Sequence, residues 1–114
     1  MMKIKPWVLL GVIAAGLFLN LSVMSADEAI YIVSIKDHQF FPAELKIPVN
    51  SKVKIIVENQ DQTAEEFESY DLNREKVVTG NGKIVIFIGP LKPGTYKYFG
   101  EFHKDSAQGV IIVE

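Results

Sequence analysis

The most informative absence from this sequence is cysteine, since none of its 114 residues is one. The chain therefore has no disulfide, no thiolate metal ligand and no cysteine nucleophile. It also lacks a Gly-x-Ser-x-Gly motif, a glycine-rich phosphate loop and a zinc-binding signature, which argues against the common hydrolase, nucleotide-binding and zinc-finger classes. No run of basic residues is present, and 14 acidic residues outnumber 12 basic ones. We therefore expect no nucleic-acid partner.

The N-terminus has the composition of a targeting segment. Lys3 and Lys5 precede an apolar run at residues 7–19, and small residues follow as far as Ala26. This order predicts a secretory signal peptide over residues 1–26. The run is shorter than the roughly 20 apolar residues of a typical membrane span, but an uncleaved N-terminal anchor remains the alternative. Both readings place the remaining domain, residues 27–114, outside the cytoplasmic membrane, and we expect it in the periplasm.

The remaining residues, 27–114, carry short apolar runs separated by turn residues. Strands are predicted at 29–36, 44–49, 52–59, 83–89, 95–102 and 109–114. Helical periodicity is absent apart from one conceivable turn at 61–66. Strands at this spacing predict one all-β domain, an antiparallel sandwich or barrel. Tyr96, which follows Pro93 and Gly94, is predicted to form a tyrosine corner with nearby backbone.

The first group of candidate ligands lies in AEEFES, residues 64–69. In an extended chain Glu66 and Glu68 point to one face, while Glu65 and Phe67 point to the other. Like charges on one strand face repel each other, and a bound cation would offset that repulsion. We expect Glu66 to be a metal ligand. Glu68 and Glu65 rank below it, because one of the three is expected to face water.

The second group lies in GEFH, residues 100–103, where Glu101 and His103 are predicted to share a face opposite Phe102. His38, at the end of the first predicted strand, is a further candidate. The ordinary alternative is that these carboxylates are solvated and that the histidines cap turns. The hypothesis drawn from the residues is a metal site formed by Glu66, Glu68, Glu101, His103 and His38.

These segments together resemble the cupredoxins. FFPAELKIPVNSKVKIIVENQD resembles their N-terminal half, LKPGTYKYFGEFH their C-terminal loop, and QGVIIVE their final strand. The resemblance implies a Greek-key β-sandwich or barrel of cupredoxin type. In blue-copper members the loop holds Cys, His and Met, and here Gly100, His103 and Gln108 stand at those places. Glu66 or its neighbour falls where the upstream copper-binding histidine would be. Without a thiolate the site is not expected to be type 1 copper.

Within this family the chain resembles small cysteine-free cupredoxin-like proteins associated with bacterial ferrous-iron permeases, through EEFES, LNREK, GPLKPGTY and GEFH. The chain is also similar to the cupredoxin domain of elemental-iron uptake lipoproteins, in which a glutamate of such a segment contributes to a metal site. This implies a periplasmic protein that binds iron or copper and either oxidises Fe(II) or delivers iron to an inner-membrane permease. The alternatives are a metal-free docking subunit of a membrane transport complex and a copper-binding protein.

Overall fold

The fold is that of a computed structural model, which describes residues 28–114. The predicted signal peptide or anchor at residues 1–26 lies outside this range. In the described range no helix is long and apolar enough to cross a bilayer. The secondary structure there consists of β1 (Ala29–Lys36), β2 (Gln39–Phe41), β3 (Glu44–Ile47), β4 (Val53–Asn59), β5 (Glu65–Ser69), β6 (Arg74–Val78), β7 (Lys83–Ile88), β8 (Gly94–Gly100), a 3₁₀ helix (Glu101–His103) and β9 (Gln108–Val113).

The strands form two sheets that pack as a sandwich, which confirms the all-β prediction. The four-stranded sheet has the order β2-β1-β4-β7, and the five-stranded sheet has the order β3-β9-β8-β5-β6. The prediction of an antiparallel arrangement was wrong in part, because β1 pairs with β4 in parallel and β3 pairs with β9 in parallel. Between β1 and β4 the chain visits the other sheet through β3, and this crossover returns it in the same direction.

The core is formed by alternate residues of the strands. Along β4 the buried and partly exposed residues alternate strictly, and Val53, Ile55 and Val57 face inward. At the end of the sandwich that carries the 3₁₀ helix, three buried aromatic rings pack together. Phe67 stacks on Tyr98 with ring centroids 4.9 Å apart, and Phe40 meets Tyr98 edge-on at 4.9 Å. These rings provide a rigid base for the side chains above them.

The strand predicted at 95–102 ends earlier than expected, at Gly100. The Gly100 N–H donates to the Ala107 carbonyl at 2.9 Å, and the Ala107 N–H donates to the His103 carbonyl at 2.8 Å. These bonds curl residues Glu101–His103 into a 3₁₀ turn. The prediction that Glu101 and His103 share a strand face was therefore wrong, since side chains of such a turn do not alternate.

Elsewhere the predicted strands are present, and β2 and β6 are additional to them. No helical turn forms at 61–66, where a short bend leads into β5. The tyrosine corner is confirmed, because the Tyr96 hydroxyl donates to the Lys92 carbonyl at 2.8 Å.

Candidate metal centre

A buried carboxylate joins β5 to the 3₁₀ helix. The side chain of Glu65 is only 2% exposed. Its Oε1 accepts the N–H groups of Glu66 and Phe102, both at 2.8 Å, and its Oε2 lies 2.8 Å from Nδ1 of His103. A buried charge is tolerated when it is fully hydrogen-bonded in this way. Glu65 thus fixes both the course of the turn and the orientation of the His103 ring.

The same carboxylate fills the space beside Gly100. A Cβ atom added at Gly100 would lie 2.6 Å from Cδ and Oε2 of Glu65, and 2.6 Å from Cβ of Ala107. By the resemblance of LKPGTYKYFGEFH to the cupredoxin C-terminal loop, position 100 corresponds to the cysteine of the blue-copper members. No side chain fits there while Glu65 holds its present place, so the residues of this chain do not fit a type 1 copper ion.

The two histidines of the chain lie against each other. The rings of His38 and His103 stack with centroids 3.6 Å apart and planes 12° apart. Each Nδ1 faces a carboxylate, since Nδ1 of His38 is 3.4 Å from Oδ2 of Asp61 and Nδ1 of His103 contacts Glu65. A carboxylate that accepts Nδ1–H leaves the Nε2 lone pair free, and metal-binding histidines are commonly oriented in this way. The two side chains are 42% and 30% exposed, so a dissolved ion can reach them.

Asp61 holds the turn that carries His38. Its carboxylate accepts the N–H of Asp37 at 2.8 Å and the N–H of His38 at 3.0 Å, and both donor residues have left-handed φ angles of 52° and 57°. Partial burial opposes ionisation, but these two backbone bonds, and the attraction of His38 and His103 when they are protonated, lower the pKa of Asp61 below its usual value. Asp61 therefore stays ionised and positions the first histidine, as Glu65 positions the second.

A second group of carboxylates lies on the opposite face of β5. We call Glu66, Glu68 and Glu75 the outer acidic cluster, because their carboxylates offer oxygen atoms within 4.8 Å of one another. Glu68 and Glu75 are direct cross-strand partners, which for like charges is destabilising. The pKa of Glu66 is raised by partial desolvation, by hydrogen bonding with Glu75 and by repulsion from Glu75, Glu68 and Glu101.

The pKa of Glu68 is raised by the same kind of surroundings, mainly desolvation and the charge of Glu75, and Lys104 opposes the shift. Glu101 lies beside this cluster. One of its oxygens is 3.5 Å from Nζ of Lys104, and the other is buried without a hydrogen-bond partner among the described residues.

The predicted ligands therefore divide into two groups. His38 and His103 form a stacked pair at the end of the sandwich, and Glu66, Glu68 and Glu101 lie on or beside the outer acidic cluster. Sequence reasoning treated Glu65 as a lesser ligand candidate and did not consider Asp61 or Glu75. For Glu65 a signal was present, because it shares the inward face of β5 with Phe67 and a buried acid requires donors.

The comparison with known proteins agrees with this fold. The profile of the family described as cupredoxin-like domain matches residues 8–113. The chain belongs to this family. A curated relative, the uncharacterised protein RP394 of Rickettsia prowazekii (strain Madrid E), is 52% identical over 81 residues. The match covers 71% of this chain and 65% of that relative, so the chain spans about two thirds of the relative's length.

Solved structures with the same fold are copper proteins and an oxidase. Auracyanin A, a blue copper protein of Chloroflexus aurantiacus, has a TM-score of 0.66 at 14% identity, over 77% of this cupredoxin-like chain and 100% of its own. The metal-binding domain of the Cu(I)-exporting ATPase CopA of Streptococcus pneumoniae D39 has a TM-score of 0.65 at 14% identity, covering 79% and 91%. A heme-copper terminal oxidase has a TM-score of 0.64 at 21% identity, covering 96% and 98%. These likenesses relate the fold to that of copper-binding proteins.

Proposed function

We propose that this cupredoxin-like domain binds a divalent transition-metal ion in the periplasm and supports iron acquisition, with Fe(II) as the cargo that it passes to an inner-membrane permease. The observation that carries metal binding is the stacked pair of His38 and His103, each backed by its own carboxylate. The resemblance to cysteine-free cupredoxin-like proteins of ferrous-iron uptake supports iron as the cargo.

The two histidines supply the nitrogen ligands in this proposal. Glu65 and Asp61 hold the two rings at Nδ1 and leave each Nε2 without a carboxylate partner in the described part of the chain. Because the rings are nearly parallel and 3.6 Å apart, their Nε2 lone pairs lie in nearly parallel planes, so one ring must turn out of the stack before both nitrogens bind a single ion. Imidazole nitrogen suits Fe(II) and Cu(II), and carboxylate oxygen suits Mn(II). The partial exposure of both rings also suits delivery, because a cargo ion must leave as readily as it enters. Glu66, Glu68 and Glu101 remain the candidate oxygen ligands on the outer face of β5.

Metal titration of the full chain tests this proposal. Fe(II) under anaerobic conditions, Cu(II) and Mn(II) are titrated in turn by calorimetry into the wild type and into His103→Ala, His38→Ala and Glu66→Gln. We expect both histidine variants to lose at least tenfold in affinity for Fe(II) or Cu(II), or about 1.4 kcal/mol. Glu44→Gln, which removes an exposed carboxylate from β3, is the matched control and should bind like the wild type.

A copper-handling function is the second candidate, and the pairing of two imidazoles favours it. Divalent copper binds such ligands more tightly than iron does. A competition experiment between Cu(II) and Fe(II) therefore does not decide between the two candidates by itself. The metal content of protein isolated from its own cells must be measured as well. Copper in that protein would replace iron acquisition by copper handling.

The saturated hydrogen bonding of Glu65 favours a third candidate, a metal-free docking subunit of a membrane transport complex. Weak and equal binding of all three ions by the wild type and every variant would support this reading over metal binding.

Oxidation of Fe(II) is a separate property, and we would measure it as oxygen uptake, since tight binding alone does not show turnover. Carboxylates near the ion would favour oxidation, because they bind Fe(III) more tightly than Fe(II).

A further inference from the structure

The outer face of the four-stranded sheet is unusually apolar for a surface in contact with water. We call it the outer apolar face. Its members point away from the core at alternate positions of β1, β2, β4 and β7, and they are Ile30, Ile32, Phe41, Ile56, Val85 and Phe87. Four of them are more than half exposed: Ile30 at 56%, Ile32 at 52%, Phe41 at 51% and Phe87 at 53%. The exposed face of such a sheet is ordinarily polar.

The strand register makes this face continuous. Ile32 is the partner of Ile56, and Ile56 is the partner of Val85, so these three side chains form one row across three strands. In the next row Ile30 and Phe87 flank Lys54. A contiguous exposed apolar patch of this kind marks an interaction surface.

Basic side chains surround the outer apolar face. The Nζ atom of Lys54 lies 5.6 Å from the centroid of the Phe87 ring. The guanidinium of Arg74 donates to the Phe87 carbonyl at 3.2 and 3.1 Å, and Nζ of Lys76 donates to the Val85 carbonyl at 3.4 Å. Lys83 extends the face along β7, and Lys52 lies with Arg74 and Phe87 around a shallow pocket at its end.

The charge on this side of the domain differs in sign from the charge of the whole chain. Among the described residues, basic side chains on or beside this face outnumber carboxylates by six to three. The basic residues are Lys36, Lys52, Lys54, Arg74, Lys76 and Lys83, and the acidic residues are Glu28, Glu58 and Glu75. The whole chain has a net charge of −2, and the outer acidic cluster lies on the other sheet. The apolar face is therefore the basic side of an acidic protein.

We propose that the outer apolar face binds the surface of an anionic lipid bilayer. Apolar side chains enter the boundary between headgroups and acyl chains, and the surrounding lysines and arginine lie at the level of the anionic headgroups. The strand that carries Ile30 and Ile32 also follows directly on the N-terminal part of the chain, which includes the apolar run at 7–19. Whether that run is removed or retained, the face itself contributes the contact.

A second copy of the chain fits this face less well than a bilayer does. Two-fold association would place the same patch on both subunits. The basic border of one copy would then oppose the basic border of the other, and like charges in contact are destabilising. An anionic bilayer supplies both the opposite charge and the apolar layer.

The absence of cysteine allows a direct test with the full chain. A fluorophore is attached at Ile32→Cys on the outer apolar face, or at Val77→Cys on the other sheet as the matched control. The two native side chains are similarly exposed, at 52% and 49%. Each labelled protein is mixed with vesicles of phosphatidylcholine alone or with phosphatidylglycerol added, and access of an aqueous quencher is measured.

We expect anionic vesicles to reduce quenching several-fold at position 32 and to leave position 77 unchanged, with neutral vesicles having a weaker effect. Lys54→Gln combined with Lys83→Gln should restore quenching at position 32, whereas Lys46→Gln combined with Lys97→Gln, on the other sheet, should not. Equal protection at both positions would show tethering by the N-terminal segment alone and would overturn the proposal. Protection at position 32 without vesicles that grows with protein concentration would show self-association and would also overturn it.

Discussion

The two faces of β5 carry glutamates in opposite electrostatic situations. On the inner face Glu65 is buried, and its two oxygens meet two backbone N–H groups and the imidazole of His103. On the outer face Glu66 and Glu68 are partly desolvated and lie near other carboxylates, and both effects raise their pKa values. The same residue type therefore stabilises the fold on one side of a strand and strains it on the other, because of the donors that surround it.

This contrast separates a structural acid from candidate ligands. Glu65 is buried and held by three hydrogen-bond partners, so we assign it the positioning of the His103 ring. The outer carboxylates have oxygen atoms to spare but no fixed donors. The two imidazoles combine both properties. Each ring is held by a carboxylate at Nδ1, and its Nε2 has no carboxylate partner among the described residues.

The largest expected effect comes from removing the buried acid. Glu65→Leu leaves two backbone N–H groups and the His103 ring without their acceptor, and each buried unpaired group costs about 1–3 kcal/mol. We expect the free energy of unfolding in urea to fall by roughly 3 kcal/mol or more. Glu66→Leu, the neighbouring control, should leave stability unchanged or raise it. An equal loss in both variants would contradict the contrast between the two faces.

The space beside Gly100 offers a second test. Gly100→Cys alone should be destabilised, because its Cβ overlaps the Glu65 carboxylate, and it should not form a blue-copper centre. Combined with Glu65→His and Ala107→Gly, it removes both groups that a Cβ at position 100 would overlap, and it places the cysteine beside His103 and the introduced histidine. We expect this triple variant with Cu(II) to show the intense visible band of thiolate ligation. The same band in Gly100→Cys alone would show that Glu65 does not obstruct that position.

The smallest effect concerns the outer acidic cluster and depends on pH. The pKa values of Glu66 and Glu68 are raised in the folded protein from an ordinary 4.5. The folded state therefore binds these protons more readily than the unfolded state does. Above the folded pKa values the ionised cluster lowers the free energy of unfolding, and this destabilisation disappears below pH 4.5. We expect Glu68→Gln to melt at a higher temperature than the wild type near pH 7.

The advantage of Glu68→Gln over the wild type should shrink as the pH is lowered through the raised pKa. Glu44→Gln, outside the cluster, should show no such dependence. If the gain in melting temperature of Glu68→Gln over the wild type were the same below pH 4.5 and near pH 7, the carboxylates would not repel each other in the folded state.

Much of the fold could be predicted from the sequence because it depends on local patterns. Alternation in β4 and β7 and the turn residues between strands identify most of the sandwich, and the proline–glycine turn identifies the corner at Tyr96. The edge strand β6 was missed, because four of its five residues are exposed and show no alternation. The parallel pairing of β1 with β4 was missed because it depends on a crossover that no local pattern specifies.

The residue types of the candidate site could be predicted from the sequence, but the positions of these residues relative to one another could not. Both histidines were identified as candidates, but nothing in a single sequence indicates that their rings stack, because the two residues are separated by 64 others in the chain. The sequence pattern puts Glu65 on the face of Phe67, but its partner His103 is 38 residues away, so the donor that allows its burial could not be identified. The 3₁₀ turn after Gly100 depends on its bond with Ala107, which local propensity does not reveal.

The most direct test of our central claim, that the imidazole pair holds the metal, is pulsed electron paramagnetic resonance of the full chain loaded with one equivalent of Cu(II). Only His38 and His103 carry imidazole nitrogen in this sequence, so labelling histidine with nitrogen-15 identifies both. We predict couplings to imidazole nitrogen that are lost in His103→Ala and retained in Glu66→Gln. A spectrum without histidine couplings, altered by Glu66→Gln alone, would place the ion in the outer acidic cluster and contradict the account.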